Sequence, residues 1–181
     1  MTWSKSFCRA SMAVGVLGIT LGFGAAAESR ASAAEAAELA TLMTARQLDV
    51  FAAQDPEAAD RFVAAMIIPN VQMLIVAAQY PTPADLQAQL AAKNFRDVYA
   101  ALHQPVAQPT RVFFIDLAID GLRPSREAVD VFYEKGTTQV LLNGNWKDQG
   151  LSESAYNEKV RQAGEQYTRL VRLLAGALKA P

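Results

Sequence analysis

Residues 111–120 read RVFFIDLAID, and the parity of this run decides the fold. Phe113, Ile115, Leu117 and Ile119 fall on one side of an extended chain, while Val112, Phe114, Asp116, Ala118 and Asp120 fall on the other. A period of two with acids on one side only predicts a strand with one buried face and one wetter face. Two further strands, 129–134 and 137–143, flank Lys135-Gly136, where Gly136 supplies the positive φ of a tight hairpin. The stretch 111–146 is therefore expected to form an antiparallel meander covered by flanking helices.

Working outward, residues 61–68 and 71–79 flank Pro69-Asn70 and are rich in Val, Ile, Met and Phe. That composition around turn chemistry predicts a second hairpin. A helix over 56–67 is the rival, favoured by Ala58, Ala59, Ala64 and Ala65. Three segments carry helical periodicity. Over 36–54, Leu39, Leu42, Met43, Val50 and Phe51 make one stripe, ended by Asp55-Pro56. Thr82 or Pro83 opens a helix that runs to about His103 and buries Leu86, Leu90, Phe95, Val98, Tyr99 and Leu102. From the N-cap Ser152 to about Leu178, Tyr156, Val160, Ala163, Tyr167, Leu170, Val171, Leu174 and Leu178 recur at three and four. This last helix must lie along something apolar, most simply one face of the sheet.

The expected order is helix, two strands, helix, three strands, helix: one α+β domain with an antiparallel sheet of about five strands. That order is similar to the roadblock and profilin-like three-layer folds. It shares no motif with them, and element order does not carry function.

The N-terminus sets the compartment. Lys5 and Arg9 precede an apolar, small-residue run over 10–24, and Ala25-Ala26-Ala27 fits the small-x-small cleavage rule. Residues 1–27 are thus expected to be a secretory signal peptide, with a second site conceivable after Ala33. The rival, an uncleaved anchor, has an apolar run shorter than the ~20 residues of a membrane span. Residues 28–37 are expected to be a flexible lead-in and 38–181 the domain. Without an Arg-Arg pair before the run, general secretion is favoured over the twin-arginine route. Cys8, the only cysteine, lies in the leader, so the mature chain would have no thiol chemistry and no disulfide. A formal net charge of −1 supplies no field for nucleic acid or anionic membrane.

Chemistry is sparse. His103 is the only histidine, at a helix C-terminus where a cation is favoured anyway, and a histidine metal site would want two or three. Asp116, Asp120, Asp130 and Glu134 would share one sheet face, a solvated or salt-bridged surface without calcium-loop spacing. There is no Gly-x-Ser-x-Gly, no Ser-x-x-Lys and no phosphate-cradling glycine loop. Phe114, Phe132, Tyr133 and Trp146 form an aromatic group that either packs the core or faces a ligand or partner. Met66 and Met73 would suit an adaptable apolar surface, as methionine also suits ordinary cores.

These observations lead to an exported, periplasmic or secreted bacterial protein that is a non-enzymatic binding or assembly module, without a catalytic centre, metal or cofactor. The alternative is a carrier of a hydrophobic small molecule held between sheet and helices, and an enzyme using Asp116 or Asp120 with His103 ranks third. The expected partner is a protein or a hydrophobic small molecule, with no nucleic acid and no membrane span after cleavage. A homodimer through the last helix is compatible with its amphipathic pattern.

Overall fold

The computed structural model describes residues 23–68, 72–92, 110–122, 131–134, 140–141 and 147–180. Among them the chain runs α1 (Phe23–Ala45), β1 (Val50–Gln54), β2 (Arg61–Ile68), β3 (Gln72–Gln79), α2 (Pro83–Ala91), β4 (Thr110–Leu117), β5 (Val131–Glu134) and β6 (Val140–Leu141). A 3-10 turn, Lys147–Gln149, then leads into α3 (Glu153–Lys179). Each strand pairs antiparallel with the one before it, so the sheet is an open meander in chain order. Strands β1–β4 form its body, and the short β5 and β6 continue it. The class is α+β.

Alternation along the strands feeds two cores. Val63, Ala65, Met73, Ile75 and Phe114 face α1 and α3, which contribute Leu39, Met43, Tyr167, Leu170 and Leu174. Ala64, Leu74, Val76, Phe113 and Ile115 face α2, which contributes Leu86 and Leu90. Both sides of β4 are therefore buried. Phe113, Phe114 and Asp116 are each 0% exposed, which overturns the expected wetter face. The reason is α3, which lies over the face carrying Phe114 and Asp116.

The first helix departs most from its periodicity. Helix α1 begins at Phe23, ahead of the expected Ala36, and Ser32 and Ala36 are buried. It stops at Ala45, not at Gln54. Gln47 takes φ 56, its N–H donates to the Thr44 carbonyl at 3.0 Å, and the Leu48 N–H reaches the Met43 carbonyl at 2.9 Å. This pair of bonds is a Schellman ending built without glycine. Val50–Gln54 is thereby freed to become β1, so three strands, not two, precede α2. The body of the sheet starts one strand earlier than the expected order had it.

The hairpin 61–68/71–79 is realised as β2 and β3, with Arg61 opposite Gln79 and Ile68 opposite Gln72. Helix α2 is capped by Thr82, whose hydroxyl accepts from the Asp85 N–H at 3.1 Å, with Pro83 in the first turn. Helix α3 starts as expected, the Ser152 hydroxyl accepting from the Ala155 N–H at 3.2 Å. Pro69-Asn70, the second half of the 83–103 helix with His103, and Lys135-Gly136 lie outside the described residues. Among the described residues no helix is long and apolar enough to cross a membrane.

Gln47 is exposed and held in the left-handed region, where a Cβ costs energy and glycine is at ease. Gln47→Gly is expected to raise the stability by up to about 1 kcal/mol, the glycine's greater unfolded-state entropy offsetting part of the relief. The midpoint of a urea titration measures it, and an unchanged or lower midpoint would contradict the cap assignment.

Candidate functional site

Two carboxylates are withdrawn from water. Strand β4 ends at Leu117 because Ala118 (φ 83) and Ile119 (φ 55) turn the chain back, with Gly121 at φ 84 completing the bend. The bend aims the N–H groups of Asp120 (3.2 Å) and Gly121 (3.1 Å) at the Asp116 carboxylate. From α3, the Tyr167 hydroxyl donates to the Asp116 Oδ2. The Tyr167 ring meets Phe114 edge-on, centroids 5.6 Å apart, and the Met73 sulfur lies 4.0 Å from the hydroxyl. Burial pushes the Asp116 carboxyl above its ordinary value, and Tyr167 and the two amides pull it only partly back. A raised carboxyl suits a general acid, but with Asp116 at 0% exposure no substrate reaches it. It anchors α3 to β4.

Asp55 anchors α3 a second time. Arg61 Nε donates to Oδ2 at 2.7 Å, Arg169 donates to Oδ1 at 3.1 Å and to Oδ2 at 3.2 Å, and the Glu57 N–H donates to Oδ1 at 3.0 Å. Burial raises this carboxyl, but the Arg169 guanidinium, the Glu57 amide and Arg61 outweigh it and hold Asp55 below 3.8. Its contribution to stability is thus complete above that value and is lost as pH falls through the lower folded value. The sequence marked Asp55 only as a helix terminator. Its role depends on Arg169, 114 residues away.

Among the described residues a cleft of about 550 Å³ lies open where the α1–β1 turn, the end of the β1–β2 pair and the last turn of α2 converge. Gln47, Leu48, Asp49 and Val50 form one wall, Met66, Ile67 and Ile68 another, and Gln87 and Ala91 the third. Its lining is apolar with Asp49 and two glutamines at the rim, which suits a hydrophobic side chain bordered by hydrogen-bonding groups.

The sequence-derived site residues are dispersed over this frame. Met66 is half-buried and lines the cleft, whereas Met73 and Phe114 are sealed in the core beneath α3. Phe132, Tyr133 and Glu134 lie in β5, in register with Phe114, Phe113 and Val112. Asp116 is buried, and Asp120 is half-buried past the end of β4, meeting Asp116 through its backbone. Asp130 and Trp146 lie outside the described residues. Among the described residues no group of three or more His, Cys, Asp or Glu could hold a metal ion.

Tyr167→Phe removes a donor from a fully buried carboxylate and should cost about 2–3 kcal/mol. Because the hydroxyl lowers the Asp116 value, its loss raises that value further, so the destabilisation should be larger at neutral pH than near pH 4. Urea unfolding at both pH values checks this. An equal loss at both would mean that Asp116 is already protonated at neutrality.

No protein-family model matches this chain, and no curated protein or solved structure matches it either.

Proposed function

We propose that the chain is an exported, non-enzymatic binding or assembly module of the bacterial periplasm that meets a protein partner at the β1–β2 cleft. The observation that carries this is the contrast between that open cleft and the filled layer under α3. Met73, Phe114, Tyr167 and Leu174 are all 0% exposed, which weighs against a small-molecule cavity between the sheet and α1 and α3. The apolar side of α3, from Tyr156 to Leu178, is likewise used inside the chain, which weighs against docking through that helix. The expected likeness in element order to roadblock and profilin-like folds does not survive the third strand before α2 and lends no function.

Export rests on the leader, and the fold favours the earlier of its two cleavage sites. A Cβ on Gly121 would stand 2.6 Å from the Ser32 hydroxyl and 2.7 Å from the Ala33 nitrogen, so α1 presses on this bend. A cut after Ala33 would remove buried Ser32, whereas a cut after Ala27 keeps it.

The test is to place a photoreactive residue at Gln87, in the cleft, or at Gln162, on the outer side of α3, and to express each chain with its leader. A periplasmic product beginning at Glu28, with a protein adduct at 87 and none at 162, is the expected result. A chain retained in the membrane, or equal adducts at both positions, would overturn the proposal. A co-purifying small mass in native mass spectrometry would replace it with the carrier.

A further inference from the structure

Among the described residues the outer edge of β1 has no strand beside it. In the β1–β2 ladder the Ile67 N–H donates to the Asp49 carbonyl at 2.9 Å, and the Asp55 N–H to the Arg61 carbonyl at 3.0 Å. Asp49 and Asp55 are therefore bonded toward β2. Because bonding alternates residue by residue in an antiparallel pair, Phe51 and Ala53 also bond toward β2. The N–H and C=O groups of Val50, Ala52 and Gln54 then point away from the sheet. Among the described residues β1 has β2 as its one strand neighbour, the order of the sheet placing it at the edge.

Edge strands in monomeric proteins are commonly blunted by lysine, proline, a bulge or an inward charge. Val50–Gln54 reads VFAAQ and has none of these. Its β1–β2 register runs without a shift. The one long polar side chain is turned aside, because the Gln54 Nε2 donates to the carbonyls of Ala58 at 3.0 Å, Ala59 at 3.2 Å and Arg61 at 3.1 Å within its own turn.

We infer that β1 pairs with β1 of a second copy of this chain about a two-fold axis at Ala52, joining the two sheets into one. The edge is self-complementary in this register. Val50 meets Gln54 of the partner subunit, Ala52 meets Ala52 of the partner subunit, and every outward N–H faces an outward C=O. Between them Phe51, half-buried, lies across from Ala53 of the partner subunit, large against small. The register sets Asp49 against Asp55 of the partner subunit, and Asp55 is already held by Arg61 and Arg169. An axis perpendicular to the sheet keeps both copies of α3 on one face and both copies of α2 on the other. Val50 also lines the cleft, so the seam runs along the cleft's rim. The inference does not depend on the cleft binding anything.

The test uses the full chain with Cys8→Ser, which removes the only native thiol. Residues directly opposite in a bonded pair have Cα atoms about 5.5 Å apart, within disulfide reach. Two copies of residue 54 are separated by roughly 13 Å along the strands. Under mild oxidation Ala52→Cys should form a disulfide-linked dimer at least about tenfold faster than Gln54→Cys. Sedimentation should show a dimer for the parent chain, and Ala53→Lys, a charge on the seam, should shift it to monomer with an unchanged circular dichroism spectrum. A monomeric parent chain across the micromolar range overturns the inference. So does a dimer that persists in Ala53→Lys, or one in which the cysteine at 54 links as fast as that at 52.

Discussion

A helix lying on an aliphatic sheet can slide and rotate with little change in buried area, so apolar packing alone leaves its placement soft. In this chain Tyr167 and Arg169 remove that freedom. Tyr167 donates to Asp116 at the end of β4, and Arg169 grips Asp55 at the turn after β1. Both acids are cut off from water, and a buried carboxylate without its donors costs several kcal/mol. The two contacts come from positions two apart on α3 and so from different sides of the helix. Together they set its rotation and its height over the sheet, and Leu170, Val171 and Leu174 then fall into the core because that rotation is set.

This arrangement explains what the sequence could and could not disclose. The recurrence at three and four after Ser152 describes α3 because one face of that helix is buried along nearly its whole length. The β2–β3 hairpin was legible for the complementary reason, dense β-branched and bulky residues around turn chemistry. Strand β1 was hidden because Val50 and Phe51 also complete the helical stripe begun by Leu39 and Met43. What separates the two is Gln47 in a conformation usually given to glycine, and no composition rule marks it. Parity along β4 correctly sorted its side chains into two sets. It could not tell a solvated acid from a buried one, since the covering residue Tyr167 lies 51 positions on.

Of the acids that looked most like chemistry, Asp116 is buried and bonded to Tyr167, and Asp120 meets it through its backbone N–H. Among the described residues an open cleft lies at the other border of the sheet, where β1, its preceding turn and α2 meet. That region draws on three separate segments, and only Met66 among its lining was singled out by residue type. A site made of ordinary apolar residues from distant positions leaves no local signature.

The strand order has a consequence for the order in which the domain can be completed. Among the described residues every strand pairs with its neighbour in chain order, so the meander can grow as the chain emerges, β2 and β3 closing a tight hairpin and β4 joining β3 only after α2 has been made. The two long helices close over it differently. Their ion pairs, Glu35 with Arg172 and Glu38 with Lys179, span 137 and 141 residues. Until α3 is released, Val63, Met73, Ile75 and Phe114 have no such helix to lie against, and α1 lacks its main companion. Helix α3 is therefore a lid in time as well as in space. A chain interrupted before it presents a broad apolar sheet, the form most in need of a chaperone.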